Sequence, residues 1–473
     1  MIYSHYCNNK NQMNINVKKF VDEVYHNLDL GQLKEATESE KVSTYMDSVI
    51  RVMRNTIRKS NVCKFNNKIH IFNGCFYEPI SFPQFQFGLE EVMKDNNVNA
   101  SYWKRIVDSC ASELEGKEIS SASNHVICFT NGVVDLEEYD NIHVAPFSPK
   151  FHVFYQLPYE FNNEAKHRLW SRFLNQVLPD KELQYVLQEF LGVIFIDRSK
   201  SKIEKILWLL GSGSNGKSVV FETIIGVLGR ENCTHIDLSD LTSGDNRDKN
   251  IARINGKLLN YCSEVSRRSI ASDFANNLIS GEPLPAREMY GAPFTAYNIP
   301  MMMANTNKMP KSNYQTPAYY RRIIIIPFNV TIPERMQDRN LHHKLRSEYS
   351  GILNWILAGR KRIMANNYQF TKSRLVERKI VEYKRSDDTI TRFMADSGYK
   401  QTREDRADKG VSVGTLELYG EYVRWCNKRK IAYEERITTV KGFSNVLTEL
   451  EYEKERSREG VKIHLYGRYH NRY

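Results

Sequence analysis

The sequence predicts a mixed α/β protein built around a parallel, doubly wound sheet. Strand-like apolar segments at 206–210, 257–262 and 299–304 each lead directly into a polar stretch. Apolar residues at helical spacing follow the first of these segments: Val220, Ile224, Val227 and Leu228. Buried strands that alternate with amphipathic helices are typical of parallel sheets with helices on both faces.

The composition favours a folded intracellular protein with a polyanionic partner. The 473-residue chain carries 67 Lys and Arg residues against 56 Asp and Glu residues, a net charge of +11. Such an excess is typical of nucleic-acid-binding proteins, and a basic protein without such a partner is the equal alternative. The eight cysteines show no C-x-x-C spacing, and no apolar leader or membrane span is visible. We expect reduced thiols, a cytoplasmic location and no membrane partner.

A glycine-rich stretch, LLGSGSNGKSVVFE at 209–222, joins the first strand-like segment to a helix. It contains the pattern G-x-x-x-x-G-K-[ST] of a phosphate-binding P-loop. The residues of this pattern are Gly211, Ser212, Gly213, Ser214, Asn215, Gly216, Lys217 and Ser218. Glycines allow backbone N–H groups to surround a triphosphate, and the helix N-terminus attracts the same anion. We expect ATP here, with Lys217 on the β- and γ-phosphates and the Ser218 hydroxyl on Mg²⁺.

The ends of the next two strand-like segments carry further candidate catalytic residues. Glu264 follows 257–262 and is suited to orienting the water that attacks the γ-phosphate, the alternative being an exposed acid without a role. Asn305 and Asn307 follow the last segment, where an amide can hydrogen-bond both the attacking water and the γ-phosphate.

Two arginines, Arg321 and Arg322, lie just before the apolar run 323–326. Arginine in such a place can neutralise charge on a nucleotide, often one held by an adjacent subunit. Each of these polar residues taken alone is more often structural. The ordered series of loop, acid, amide and arginine is what indicates a nucleotide hydrolase.

The C-terminal segment has the pattern of a winged-helix domain. Apolar residues recur at helical spacing in 418–426 and 443–450, and 451–467 alternates as two strands around a Ser-Arg-Glu-Gly turn. Basic residues of this segment are candidate phosphate contacts, with a solvated basic surface as the alternative. They are Lys428, Arg429, Lys430, Arg456 and Arg458.

The series of motifs resembles the superfamily 3 helicases, and within them the phage, plasmid and poxvirus primase-helicase branch. GSGSNGKS is similar to the Walker A motif of that branch, GKLLNYCSE to its Walker B motif and ISGEPLPAREMYGAPF to its B′ segment. MMMANTNKMP resembles its sensor motif, and YYRRIIIIPF resembles the segment with its arginine finger. FTNGVVDLE, PFSPKF, WSRFL and LQEFLG look like the domain that precedes the ATPase.

This resemblance implies roles for individual residues. Asn307, rather than Asn305, would be the sensor amide. The B′ segment would form a β-hairpin that enters a central channel and contacts DNA through Arg287 and Tyr290. Many relatives carry a Lys directly after the Tyr, where this chain has Gly291, so Arg287 becomes the main phosphate contact.

A second departure concerns the metal. Ser263 stands where other ring ATPases often place an Asp. Besides Glu264, Mg²⁺ would then depend on Ser218, the phosphates and water.

The resemblance and the patterns together predict five regions around an AAA+-like P-loop ATPase core. Residues 1–120 form a mainly helical N-terminal region, and 121–202 form a β element with a helical collar. The core occupies 203–335, a helical lid or linker 336–404, and the winged-helix domain 405–473.

The predicted function is that of an ATP-dependent DNA helicase of a mobile genetic element, working in the cytoplasm of a host cell. The resemblance implies a homo-oligomeric ring, a hexamer, that moves 3′ to 5′ on single-stranded and forked DNA. Residues 1–120 show no paired-carboxylate pattern for nucleotidyl transfer, so no primase activity is expected, and a separate primase or polymerase is an open partner.

Two other functions remain open at this point. One is an origin-binding initiator, in which the C-terminal domain reads a specific site that the ATPase melts. The other is a P-loop ATPase without helicase activity, such as a packaging motor. The choice between Arg321 and Arg322 as the finger also remains open.

Overall fold

A computed structural model describes most of the chain. The described residues are 15–38, 42–94, 96–119, 125–137, 142–242, 244–262, 272–289, 291–309, 317–338, 340–387, 389–400, 410–431, 433, 436–457 and 460–466. No helix within these ranges is long and apolar enough to cross a membrane.

The centre of the molecule is a five-stranded parallel sheet, so the predicted mixed α/β fold is confirmed. Its strands are β6 (Ile206–Leu210), β7 (Cys233–Thr234), β8 (Leu259–Cys262), β11 (Met301–Thr306) and β12 (Ile323–Pro327). They lie in the spatial order β12-β6-β11-β8-β7. The first strand of the sheet thus lies between the fifth and the fourth, and the crossovers that leave the neighbouring strands β6 and β11 run to opposite edges of the sheet, to β7 and to β12. Ligands of open α/β sheets bind beyond the carboxyl ends of the strands at such a point.

Both faces of the sheet are buried along β6, β8, β11 and β12, because side chains of these strands alternate between two hydrophobic clusters. Leu207 and Leu209 face one cluster with α7 (Lys181–Val193), α9 (Lys217–Leu228) and α15 (Tyr349–Ala365). Ile206 and Trp208 face the other, with α10 (Leu238–Thr242), α11 (Arg247–Ile254) and α12 (Ser272–Ser280).

The edge strand β12 is entirely buried, although only β6 pairs with it among the described strands. Helix α16 (Arg374–Asp387) packs along it. Tyr383 of this helix is buried and meets Tyr320, just before β12, edge to face.

The N-terminal region combines helices with a sheet that the sequence patterns do not predict. Its helices are α1 (Ile15–Asn27), α2 (Leu30–Thr37), α3 (Val42–Lys59), α4 (Phe82–Lys94) and α5 (Trp103–Glu115). An antiparallel meander of β1 (Val62–Phe65), β2 (Lys68–Phe72) and β3 (Tyr77–Ile80) packs with them into one core.

A short hairpin and a helix connect this region to the central sheet. The hairpin consists of β4 (Val126–Phe129) and β5 (Gly132–Asp135), and α6 (Arg168–Val177) follows. The carboxylate of Glu348 caps α6 by accepting hydrogen bonds from the backbone N–H groups of Leu169 and Trp170, each at 2.9 Å.

The described part of the C-terminal unit contains three α-helices and a three-stranded antiparallel sheet. Its elements are α17 (Thr389–Asp396), β13 (Val411–Gly414), α18 (Thr415–Lys428), α19 (Val440–Glu449), β14 (Lys454–Ser457) and β15 (Gly460–Leu465). Ile390, Phe393 and Met394 belong to its hydrophobic core. This core therefore begins before residue 405, because α17 supplies part of its apolar surface.

The remaining described α-helices and strands are short. They are α8 (Arg198–Ser201), α13 (Pro317–Tyr320), α14 (Leu341–Leu345) and the hairpin strands β9 (Leu284–Arg287) and β10 (Pro293–Ala296).

Candidate nucleotide site and DNA-contacting surfaces

The glycine-rich loop 211–216 connects the carboxyl end of β6 to the N-terminus of α9. Its backbone is left-handed at Gly213 (φ 115°), Ser214 (φ 47°) and Gly216 (φ 87°), a region that favours glycine. Gly216 is also required by packing, since a Cβ there would lie 2.7 Å from Cγ1 of Val177 in α6. Helix α6 therefore packs directly against the loop.

The side chain of Asn215 fixes the shape of this loop. It is 3% exposed and donates through Nδ2 to the carbonyl oxygen of Phe328, at 3.1 Å, just beyond the end of β12. A side chain at Gly211 would overlap this amide, so glycine is needed at that position as well. The amide group thus ties the loop to the edge strand.

Lys217, the first residue of α9, is held by the loop itself. Its Nζ donates to the carbonyl oxygen of Gly211 at 2.6 Å and to Oδ1 of Asn215 at 3.0 Å. Burial lowers the pKa of the Lys217 amine. Both acceptors are neutral oxygens, so an anionic phosphate would compete well for this amine.

A cleft of about 1030 Å³ opens above the loop. We call it the loop cleft, and four segments line it. They are α6 with Leu169, Arg172, Phe173 and Gln176; the loop and α9 with residues 213–219 and Glu222; the end of β11 with residues 305–308; and Ile332, Met336, Gln337, Asp338, Leu341 and His342. Volumes of this size are typical of pockets that bury a ligand as large as a nucleotide.

Both candidate amides lie in the loop cleft. Asn305 is 7% exposed, and its Oδ1 has no hydrogen-bond partner among the described residues. Asn307 lies past the end of β11 and is exposed. The assignment of the sensor amide to Asn307 stays a prediction.

The donor set for Mg²⁺ is described only in part. Ser218 lines the loop cleft at the start of α9, and its hydroxyl oxygen is a ligand type that Mg²⁺ accepts. Glu264 and Ser263 lie outside the described residues, directly after β8. Within the described ranges, no group of three or more His, Cys, Asp or Glu side chains is arranged to hold a metal.

The two arginines before β12 differ in environment. Arg322 is 8% exposed, forms an ion pair at 2.7 Å with Glu204 and donates to the hydroxyl of Ser280 at 3.1 Å. The side chain of Arg321 is 67% exposed, and its guanidinium lies 4.0 Å from Glu204. The fold thus uses Arg322 as a structural ion pair and leaves Arg321 facing solvent.

Both arginines lie at the amino end of β12, whereas the loop follows the carboxyl end of the parallel neighbour β6. The five residues of β12 separate the two ends by about 17 Å at the usual rise per residue. Arg321 therefore lies at the amino ends of the strands, whereas the loop cleft of its own chain lies at their carboxyl ends.

The predicted hairpin is present as β9 and β10, with Arg287 paired to Pro293. Arg287 is exposed, and its Nε donates to the carbonyl oxygen of Gly291 at 3.0 Å. Tyr290 lies outside the described residues.

The C-terminal candidates lie on the surface of their unit. Lys428, Arg429 and Lys430, at the end of α18, and Arg456 of β14 are exposed, and Arg458 lies outside the described residues. Arg429 also forms an ion pair with Asp396 of α17 at 2.7 Å.

The structure adds residues to the loop cleft that sequence patterns do not single out. Arg172 and Gln176 come from α6, and His342 from α14. Arg172 is on the polar face of an amphipathic helix, which predicts only exposure. His342 follows Glu222 by 120 residues in the sequence, yet its Nδ1 lies 3.9 Å from Oε2 of Glu222. Only the folded chain brings these two residues together.

Two family models match parts of the chain. Residues 209–322 match a family described as of unknown function, DUF5906, and residues 89–179 match a family described as D5 N terminal like. The first range runs from the end of β6 through the loop, the hairpin and β11 to Arg322. The second includes all of α6, which lines the loop cleft. A search of curated proteins found no match.

Solved structures similar to the chain include the apo structure of the NrS-1 C-terminal region spanning residues 305–718. It is 13% identical and has a TM-score of 0.44, with 86% of this chain and 96% of that chain covered. Another apo structure of the NrS-1 C-terminal region is 14% identical and has a TM-score of 0.38, with 65% and 77% covered. Similarity at this level is too low to establish a shared fold.

Proposed function

We propose that the chain is an AAA+-like P-loop ATPase that binds ATP in the loop cleft. The sheet order supports this proposal, because the loop follows the strand between the fifth and fourth strands, at the switch point of the fold. The left-handed glycines, the N-terminus of α9 and a buried lysine at one cleft form the environment that a triphosphate requires.

In this proposal, the residues of the loop receive the phosphates. Lys217 exchanges the carbonyl of Gly211 and the amide of Asn215 for phosphate oxygens. The Ser218 hydroxyl and Glu264 would hold Mg²⁺, which when bound neutralises phosphate charge. Asn307 would orient the attacking water, and Glu264 would be its base.

The position of Arg321 favours an assembly of subunits. This exposed guanidinium lies at the amino ends of the strands, away from the loop cleft of its own chain at their carboxyl ends. The nucleotide that it could reach is therefore one bound by a neighbouring subunit. We propose that Arg321, and not Arg322, is the arginine finger, and that the chain works as a homo-oligomeric ring. The resemblance to superfamily 3 helicases favours a hexamer.

We further propose that this ring is a DNA helicase. The net charge of +11, the exposed Arg287 on a two-stranded hairpin and the match of residues 89–179 to a D5 N terminal like family support a role on DNA. In this role the hairpins of successive subunits would move along one strand as ATP is hydrolysed.

The C-terminal unit favours a second candidate, an initiator that reads a specific origin. Its order of helix, strand, two helices and two strands supports a winged-helix domain. The face of α19 with Lys441, Asn445 and Thr448 is exposed, as a helix in a major groove requires. Footprinting on the DNA of the mobile genetic element distinguishes an initiator from a helicase without sequence preference. A protected site supports the initiator, and uniform binding supports the helicase alone.

The single observation that carries the proposal is that Lys217, the first residue of α9, lines the loop cleft and is held by the loop. Lys217→Ala should abolish ATP hydrolysis and the unwinding of forked DNA while the protein remains folded. Lys249, an exposed lysine of α11, supplies the matched control Lys249→Ala, which should keep both activities. Native protein that hydrolyses ATP but separates no strands would refute the helicase, and native protein that binds no ATP would refute the whole proposal.

A further inference from the structure

The N-terminal meander touches the central unit at the hairpin of β9 and β10. The turn between β1 and β2 consists of Asn66 and Asn67, both with left-handed backbones (φ 51° and 61°). We call residues 66–68 the brace. They contact segments that flank this hairpin and lie more than 180 residues further along the sequence.

At the base of the hairpin, the brace forms a polar contact with the segment between β10 and β11. Asn298 donates through Nδ2 to Oδ1 of Asn66 at 2.6 Å. Its backbone N–H donates to Oδ1 of Asn255 at 3.1 Å, and its carbonyl accepts from the N–H of Gly256 at 2.8 Å. Asn66 thus joins a network that also fixes the entry into β8.

The approach at Gly256 is close enough to exclude any side chain. Gly256 has a left-handed backbone (φ 81°), and a Cβ there would overlap the amide nitrogen of Asn66. The brace therefore lies directly on the backbone of the central unit, and the contact depends on this glycine.

A second contact lies toward the tip of the hairpin. Lys68, the first residue of β2, forms an ion pair with Glu288 at 3.3 Å. Glu288 directly follows Arg287, the exposed guanidinium that we propose as a phosphate contact. The brace thus holds the hairpin at its base and beside the charge that would meet DNA.

We propose that Asn66 and Lys68 are positioning residues, through which the N-terminal region sets the position of the β9–β10 hairpin for DNA binding. This inference rests on the proposed function in one respect, that the hairpin contacts DNA. The brace itself acts within the chain and is measured without DNA or ATP.

The test uses a steric wedge with a matched control. Gly256→Ala introduces a methyl group against Asn66, whereas Gly244→Ala has the same left-handed strain (φ 90°) with nothing within 4 Å of the new Cβ. Hydrogen exchange of residues 284–296 should become about five- to tenfold faster in Gly256→Ala and stay unchanged in Gly244→Ala. Asn66→Gly, which removes the acceptor of the Asn298 hydrogen bond without a steric overlap, should accelerate exchange of the same segment.

The ion pair is tested by a charge swap in the full-length protein. Lys68→Glu should weaken binding of a labelled oligo-dT about two- to fivefold, because the pair is half exposed. The double variant Lys68→Glu with Glu288→Lys should restore the affinity, and the KM for ATP should remain within about twofold throughout.

Two outcomes have different meanings. If the wedge leaves exchange of the hairpin unchanged, the brace does not position the hairpin and the inference is overturned. If exchange accelerates while DNA affinity stays constant, the brace is supported, and the assignment of DNA contact to the hairpin in the proposed function fails instead.

Discussion

Substitution of the two arginines before β12 should separate stability from catalysis. Arg322→Ala removes a guanidinium with a 10% exposed side chain and leaves Glu204, 32% exposed, without its 2.7 Å partner. Loss of a charge-assisted hydrogen bond in such a setting costs about 2–3 kcal/mol. Arg321→Ala removes a side chain that is 67% exposed, and should change stability by less than about 0.5 kcal/mol.

The effects on ATP hydrolysis should be the reverse of those on stability, large for Arg321→Ala and small for Arg322→Ala. Arg321→Ala should lower the kcat of ATP hydrolysis about 10³-fold or more, the usual effect of losing an arginine finger. Arg322→Ala should keep most of its activity at temperatures where it remains folded. Denaturant unfolding and steady-state ATPase assays on the same preparations measure both effects.

A mixing experiment tests whether the arginine acts on a neighbouring subunit. Arg321→Ala and Lys217→Ala should each be inactive alone, but an equimolar mixture should place an intact loop against an intact arginine at about one interface in four. Partial recovery of ATPase activity is the expected result. An inactive mixture, with mixed assembly shown by cross-linking, would refute action between subunits, and an active Arg321→Ala protein would refute the role of Arg321.

Three further predictions follow from the packing. Gly216→Ala should abolish nucleotide binding in a filter or fluorescence assay, because the alanine would need a left-handed backbone and its Cβ would lie 2.7 Å from Cγ1 of Val177. Binding at native affinity would contradict the backbone conformation described for the loop. Glu348→Ala should destabilise the protein by about 1–2 kcal/mol through loss of the α6 cap, measured by denaturant unfolding, and Glu348→Gln should recover part of it; equal stabilities would exclude the cap. Burial lowers the pKa of His70 to about 4, so the unfolded chain binds an extra proton between pH 6.5 and 4 and stability should fall as pH decreases through this window, by roughly 2–4 kcal/mol; in His70→Gln the pH profile of thermal unfolding should be flatter, and an unchanged slope would assign it to other groups.

Four strands of the central sheet, β6, β8, β11 and β12, could be predicted because each is a short, mostly apolar run. The strand β7 was not predicted, because its two residues are too few to form a pattern. Strands buried on both faces have no alternating pattern to confuse with a surface strand, and in this chain polar residues mark the ends of the runs. The N-terminal meander was missed, because β2 and β3, KIHIF and YEPI, mix charged residues and a proline with their apolar positions. The adjacent asparagines at 66 and 67 are the turn signal that could have revealed it.

The candidate site was predictable only where its residues are close in sequence. The loop is one segment with a known spacing, whereas Arg172 and His342 reach the cleft from helices on either side of it in the chain. The sequence also could not distinguish Arg321 from Arg322, because neighbouring residues at a strand start face opposite directions. Which one is buried depends on the position of Glu204, and this is known only from the folded structure.

The covered edge of the central sheet has a consequence for solubility. Four consecutive isoleucines in β12 form an uncharged segment of high β propensity, the type that assembles into intermolecular sheets when exposed. Helix α16 covers this strand, and charged side chains on it are exposed: Arg374, Glu377, Arg378, Glu382 and Lys384. Detachment of α16 would expose the unpaired edge of β12 to other chains before the rest of the protein unfolds. Substitutions that weaken the packing of α16 should therefore promote aggregation more than they reduce global stability.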